Sequence, residues 1–489
     1  MNILMVSSES VPFAKTGGLA DAVPALAGAL RRRGHDVRIV MPRYYGIDRR
    51  TLRCDEAPMG VPMRPDEMWC AVCRTVLPGS GVPVYLIDRE DLFGRDGLYG
   101  PDGSSSWPDN ARRFAFFSTA ALQLGRYLGW TPDIFHLHDW QAAPAAWLLG
   151  TEEYRKAYPE SASVLTIHNL GYQGVGAPSD LASFPEFTEG HQAPMLHGGH
   201  ANYLAGGLAC ADGITTVSPT YAREILTPAF GEGLDDLLSS RVDRLTGILN
   251  GMDYSEWNPA RDPVLKPHRY SSRFMRGKAK LKARLQEEMG LPSNPELPLF
   301  GMITRLTGQK GIDLVAEIQG PATEVFRSGR AQLAVLGTGE TRYEEALRSL
   351  ADALPQACAV RIAFSGPLSR LIEAGSDFFV MPSRYEPCGL NQMYSLRYGT
   401  LPVVRRTGGL ADSVRDLDAD PQDGDGFIFD RADPSALGEA LNRATLFYGD
   451  TRKMKAARRR AMGRRFDWDA SSRDYETAYS MALERRRLR

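Results

Sequence analysis

Short, unbroken apolar runs alternate with longer stretches of helical periodicity along the whole chain, and this rhythm restarts once. Residues 2–6 form the first run; Leu19, Val23, Leu26 and Leu30 then recur at helical spacing, and Gly34 stands where a helix would end. Runs at 37–41 and 82–87 follow, then a helical stripe of Phe114, Phe117, Leu124 and Leu128, then runs at 134–137, 164–167 and 214–217. The pattern begins again after Asn250-Gly251, with runs at 299–303, 333–336, 360–364, 378–381 and 401–404 and helices over 369–374 and 435–447. Strands without polar alternation are buried on both faces, which requires a mostly parallel sheet covered by helices on each side. The chain is therefore expected to be α/β, with two Rossmann-like doubly wound domains facing across a cleft. The first spans 1–248 and the second 249–464. A C-terminal helix within 465–489 is expected to pack back on the first domain through aromatics such as Tyr475 and Tyr479.

At 489 residues the chain exceeds one ordinary core, and its net charge of -1 gives no general attraction to nucleic acid or an anionic membrane. A neutral ligand fits that balance. The N-terminus reads as a strand rather than a signal peptide, and no run approaches the roughly 18–20 apolar residues of a membrane span. A cytoplasmic protein is expected. Cys70 and Cys73 form C-x-x-C in a strand-like stretch with no second pair or nearby histidines, so reduced structural thiols are favoured over zinc or redox chemistry.

Ligands of doubly wound sheets sit beyond the carboxyl ends of the strands. Polar motifs lie at those places. Lys15-Thr16-Gly17-Gly18-Leu19 and Asp21 follow the first strand. Two glycines, a helix N-terminus and a lysine suit a phosphate, and a plain strand-to-helix turn is the alternative. His136-Leu137-His138-Asp139-Trp140 ends another strand; no convincing third ligand supports a metal, while a carboxylate and an indole suit a sugar unless Asp139 merely caps a helix. Thr166-Ile167-His168-Asn169 ends a third. In the second half, Arg305 and Lys310 stand across a turn where two cations suit a diphosphate. Ser383-Arg384-Tyr385-Glu386-Pro387-Cys388-Gly389-Leu390 follows the strand at 378–381, and Pro387 is expected to open a helix with Glu386 at its N-terminus. Arg405-Arg406-Thr407-Gly408-Gly409 repeats the theme of cation plus glycine. Asp418-Ala419-Asp420 is read as a solvated loop rather than a metal site.

These segments, with Val217-Ser218-Pro219-Thr220-Tyr221, Leu249-Asn250-Gly251 and Tyr398-Gly399-Thr400, resemble the bacterial glycogen synthases and plant starch synthases over nearly the whole chain and in the same order. The resemblance implies a GT-B fold with the acceptor on the N-terminal side and the nucleotide sugar on the C-terminal side. It implies retaining transfer from ADP-glucose to an α-1,4-glucan, without a cofactor or metal. By similarity Glu386, Lys310, Arg305, His168 and Asp139 carry catalysis. Lys15, Gly17, Gly18, Asn250, Phe364, Cys388, Gly389, Leu390 and Thr407 are expected to bind ADP-glucose, and Asp21, Tyr99, Trp140 and Asn169 to lie on the acceptor side. The sequence departs from the family at Ala205-Gly206, where lysine and alanine are usual, and at Gly366-Pro367, where glutamate and alanine are usual. Tyr394 stands where a related transferase class has a second glutamate. A dehydrogenase would need G-x-G-x-x-G after the first strand, which is absent. A non-catalytic glucan-binding relative and a sugar-nucleotide epimerase remain the competing readings, and oligomeric state is left open.

Overall fold

The computed structural model describes residues 1–101, 105–185 and 192–488. It divides the chain into two compact units, Met1–Gly251 with Trp468–Arg489, and Met252–Asp467.

The first unit is built on a ten-stranded sheet. Its parallel block runs in the order Leu245–Gly247, Gly213–Thr216, Ala162–Ile167, Ile134–His138, Asn2–Val6, Asp36–Pro42 and Pro83–Asp88. The central strand is shut in completely: Ile3, Leu4, Met5 and Val6 are 0% exposed. Its two neighbours carry the chain in opposite directions across the sheet, so the strand order reverses between Asn2–Val6 and Ile134–His138. Such a reversal leaves a crevice beyond the carboxyl ends of the two strands.

Beyond Pro83–Asp88 the sheet turns antiparallel, through Met68–Val76 to Arg53–Cys54. That pairing sets Cys54 opposite Cys73, and the two form a disulfide. The expectation of a reduced thiol at Cys73 is corrected here. The bond joins positions 19 residues apart through strand register, which local cysteine spacing does not reveal. Cys70, the other half of C-x-x-C, is buried; it donates to the Met59 carbonyl, and burial pushes its thiol up to about 12.

The last helix, Trp468–Arg487, belongs to this first unit. It packs on the Leu19–Arg32 helix and on the Ala162–Ile167 and Gly213–Thr216 strands. Tyr475 and Tyr479 are buried to 1% and 0% exposure, and aromatics sealed in this way dominate core energetics.

The second unit has a six-stranded parallel sheet in the order Cys358–Ile362, Gln332–Gly337, Leu299–Ile303, Phe378–Met381, Leu401–Arg405 and Phe427–Phe429. The order again reverses beside the unit's first strand, between Leu299–Ile303 and Phe378–Met381. The strand expected at 360–364 lies at Cys358–Ile362, because Ser365 accepts from the Leu368 amide and caps the Gly366–Gly375 helix, drawing Phe364 into the turn. No helix among the described residues is long and apolar enough to cross a membrane.

Candidate functional site

In the first unit the Lys15-Thr16-Gly17-Gly18 turn is organised by a residue the sequence reading passed over. Glu9 is 3% exposed, and its carboxylate accepts from the Thr16 amide (2.5 Å), the Thr16 hydroxyl (2.6 Å), the Gly17 amide (3.3 Å) and the Tyr99 hydroxyl (2.6 Å). The Ser8 hydroxyl donates in turn to Tyr99 at 2.7 Å. Burial, with the charge on Glu9 beside it, pushes the Tyr99 phenol well above its ordinary value, which keeps it a donor. The Gly17 amide is therefore committed to Glu9. An acid shortly before a Gly-Gly turn was the available signal, because amides bent toward one point need an acceptor. Lys15 pairs with Asp21 at 2.7 Å. Both are substantially exposed, and such a pair is worth about 0–1 kcal/mol, so it yields readily to a better anion.

Across the strand reversal, Asp139 sits where the Ile134–His138 strand turns directly into a helix. Its φ is 56°, a left-handed conformation that costs a non-glycine residue about 1–3 kcal/mol and that concentrates at functional sites. The bend brings its Oδ1 under the next loop, where it accepts from the His168 amide (2.7 Å) and the Asn169 amide (3.4 Å). Burial raises the carboxyl to about 7 against those two hydrogen bonds, with a further push from the charge on Glu9. His168 faces His138, Nε2 to Nδ1, at 3.0 Å. Trp140 is partly buried. Its ring packs edge-on to Phe114 at 4.9 Å, and a Cβ on Gly174 would come within 2.3 Å of it. Asn250 is 5% exposed at the end of the same unit.

In the second unit the loops after Leu299–Ile303 and Phe378–Met381 close on each other. Lys310 Nζ contacts both Glu386 oxygens, at 2.9 and 2.6 Å, and the Ser383 hydroxyl donates to Glu386 at 2.8 Å. The Arg384 amide bonds the Gln309 carbonyl at 2.8 Å. Gly311 makes the approach possible: its φ is +66°, and a Cβ there would meet the Pro382 carbonyl oxygen at 2.2 Å. Gly408 does the same behind Glu386, whose carbonyl oxygen a Cβ would meet at 2.0 Å. Thr407, fully buried, precedes it. Arg305 is exposed and pairs with no acid among the described residues.

The expected helix opening at Pro387 is corrected. The helix is Asn391–Arg397, and Gly389, at φ +70°, turns the chain before it. Glu386 is thus a loop carboxylate met by Lys310 and Ser383 rather than by a helix terminus. Cys388 is buried, Gly389 and Leu390 are partly exposed, and Phe364 stands 93% exposed. Tyr394 stacks on Trp257 at 3.8 Å, a packing role that uses the position of the absent second glutamate. Asp418 pairs with Arg443, and Asp420 accepts from the Gln422 and Asp423 amides of its own turn. Among the described residues no three or more histidine, cysteine or acidic side chains gather as metal ligands would.

Each unit is thus a doubly wound sheet with charged or polar side chains at its strand reversal. A sucrose-phosphate synthase from Thermosynechococcus elongatus shares this fold at a TM-score of 0.61 and 16% identity, over 98% of both chains. The catalytic domain of starch synthase IV from Arabidopsis thaliana, solved with ADP and acarbose, matches with a TM-score of 0.90 and 33% identity over 99% of both. The molecule is a GT-B glycosyltransferase of the retaining type. Residues 2–240 match the starch synthase catalytic domain family and residues 285–461 the glycosyl transferases group 1 family. The glycogen synthase of Treponema denticola is 44% identical over 99% of both chains, and that of Anaeromyxobacter sp. (strain Fw109-5) 46% identical over 98% of this chain and 99% of its own. The chain belongs to the glycogen synthase and starch synthase family.

Proposed function

We propose that the protein transfers glucose from ADP-glucose to the non-reducing end of an α-1,4-glucan with retention, elongating glycogen in the cytoplasm. The observation that carries this reading is the Lys310–Glu386–Ser383 cluster at the second unit's strand reversal, in a chain similar to glycogen synthases from end to end.

Cleaving a glucosyl–phosphate bond gathers negative charge on the departing diphosphate and positive charge at the anomeric carbon. Fixed, partly desolvated cations answer the first demand at no reorganisation cost during the reaction. Lys310 is held by Glu386 at one geometry, and Arg305, free of acid partners among the described residues, adds a planar donor suited to two phosphate oxygens. Glu386 and Asp139 supply negative charge for the second demand. His168 and Asn169 offer polar contacts to sugar hydroxyls. Lys15 and Gly18 add a cation and an amide for the diphosphate, while Gly17 acts through its bond to Glu9. Phe364, with its ring exposed, is suited to stack on the base.

The test is release of ADP from ADP-glucose with and without glycogen, run in parallel with UDP-glucose. Glycogen-dependent ADP release with an α-linked product is expected. Release indifferent to glycogen, or none from either donor, would sink the reading.

A further inference from the structure

Three histidines and a tyrosine of the first unit form a connected chain, and of these only His168 has a role above. Tyr479, on the last helix, bonds His136 Nδ1 at 2.8 Å, and His136 Nε2 bonds the Thr166 hydroxyl at 2.6 Å. Thr166 continues to the Thr215 hydroxyl at 2.6 Å. His136 is thereby held at both nitrogens, and its ring lies 4.1 Å from that of His138, centroid to centroid. His138, 1% exposed, has that ring on one side and His168 on the other, and reaches His168 Nε2 through Nδ1 at 3.0 Å. The other His138 nitrogen, Nε2, is buried and has no partner among the described residues.

All three rings are neutral near pH 7. Burial draws His136 and His168 down to about 3 and His138 well below its ordinary value, with the neighbouring imidazoles adding to the shift at His136 and His138. Two neutral imidazoles facing at 3.0 Å hold one proton between the facing nitrogens. If His168 Nε2 carried it, the His138 proton would sit on Nε2, a sealed N–H with no acceptor. If His138 Nδ1 carries it, Nε2 is left with only a bare lone pair. Either arrangement leaves one sealed nitrogen unsatisfied, and an orphaned buried N–H is the rarer kind in folded proteins. The second arrangement therefore wins, and His168, accepting at Nε2, must carry its own proton on Nδ1.

We propose that His138 is a positioning residue that fixes His168 as the Nδ1–H tautomer, so that His168 presents a hydrogen-bond donor to a hydroxyl of the transferring sugar. The Nδ1 atom has no partner among the described residues and is not sealed from solvent, so it is available for that contact. The donor role rests on the glucosyl-transfer reading above; the tautomer assignment does not. The Tyr479–His136–Thr166 bonds fix the ring that packs against His138.

The experiment uses the full chain labelled with 15N in the histidine rings. Long-range 1H–15N correlation at pH 7, with His168 assigned by a His168→Gln variant, is expected to show His168 neutral and protonated on Nδ1. His138→Leu removes the donor; it should move His168 to the Nε2–H form and lower kcat about tenfold, the scale of one ordinary hydrogen bond, with KM for ADP-glucose changed less than about twofold. His138→Asn puts an amide N–H near the lost Nδ1–H, and should retain the Nδ1–H tautomer of His168 and most of kcat. A wild-type His168 protonated on Nε2 overturns the proposal, and that spectrum decides the matter even if the leucine variant fails to fold. So does a tautomer unchanged in His138→Leu, or one that switches while kcat stays put. A wild-type protein that transfers no glucose overturns the donor role together with the proposed function, while the ring spectra still decide the tautomer.

Discussion

The two units place their polar residues at the same topological point and fill it with opposite chemistry. In the first unit the strand reversal is lined by uncharged imidazoles, by a carboxyl that burial raises to about 7, and by Glu9, whose charge is met by amides and hydroxyls. In the second unit the same point holds an ammonium–carboxylate contact at 2.6 Å, with Arg305 exposed nearby in sequence. A doubly wound sheet dictates where a ligand sits but not its polarity; the loops decide that. Apart from the exposed Lys15–Asp21 pair, the first unit's buried groups suit a neutral, hydroxyl-rich molecule whose contacts depend on proton placement. The second suits a polyanion.

The comparison breaks most visibly at the second unit's ion pair. Lys310→Ala or Glu386→Ala is expected to cost on the order of 10²–10³ in glycogen-dependent ADP release, with far-UV circular dichroism unchanged. Near-normal turnover in either variant would remove that residue from the mechanism.

Acid should separate the units next. His136 and His168 have folded values near 3 against 6.5 unfolded, so the unfolded chain binds more protons between these values, and stability is lost as pH falls through that window. By pH 5 the loss is on the order of 2 kcal/mol for each, and His138 acts in the same direction. Asp139 acts oppositely. Its folded value near 7 exceeds the unfolded 3.8, so protonation on acidification favours the folded state and offsets about one histidine. The net effect is loss of stability in the first unit. Hydrogen exchange from pH 7 to 5 should show amides of the Ile134–His138 and Ala162–Ile167 strands losing protection before those of Leu299–Ile303. Equal loss in both would contradict the contrast.

The smallest expected effect tests the first unit's own carboxylate. Glu9→Gln keeps the shape but removes an ionic acceptor from four donors, and should lower kcat/KM for ADP-glucose about tenfold without unfolding the chain. An unchanged kcat/KM would reduce Glu9 to packing.

Most strands were legible because each is a continuous apolar run, and burial on both faces leaves no other pattern. Lys310 and Glu386 were legible as candidates, since each follows such a run, but their contact depends on the strand order, which only the fold supplies. What was missed depends on contacts between distant segments. Cys54 meets Cys73 through antiparallel register. Tyr479 reaches His136 across 343 residues. Pro387 was read as a helix opening because proline favours that position, but the left-handed Gly389 two residues later rules it out, and a positive φ leaves no mark in sequence beyond the glycine itself. The close fit of Trp140 against Gly174 and Phe114 likewise joins segments far apart in sequence.

The chain starts and finishes in the same unit, and the middle of the sequence is spent on the other. Domains generally fold in order of emergence from the ribosome. Here the earlier-made sheet waits for the helix Trp468–Arg487 before Tyr479 can reach His136. A nascent or C-terminally clipped chain therefore has every residue of its second unit but lacks the helix that closes its first, and loss of a short tail removes more of the enzyme than its length implies.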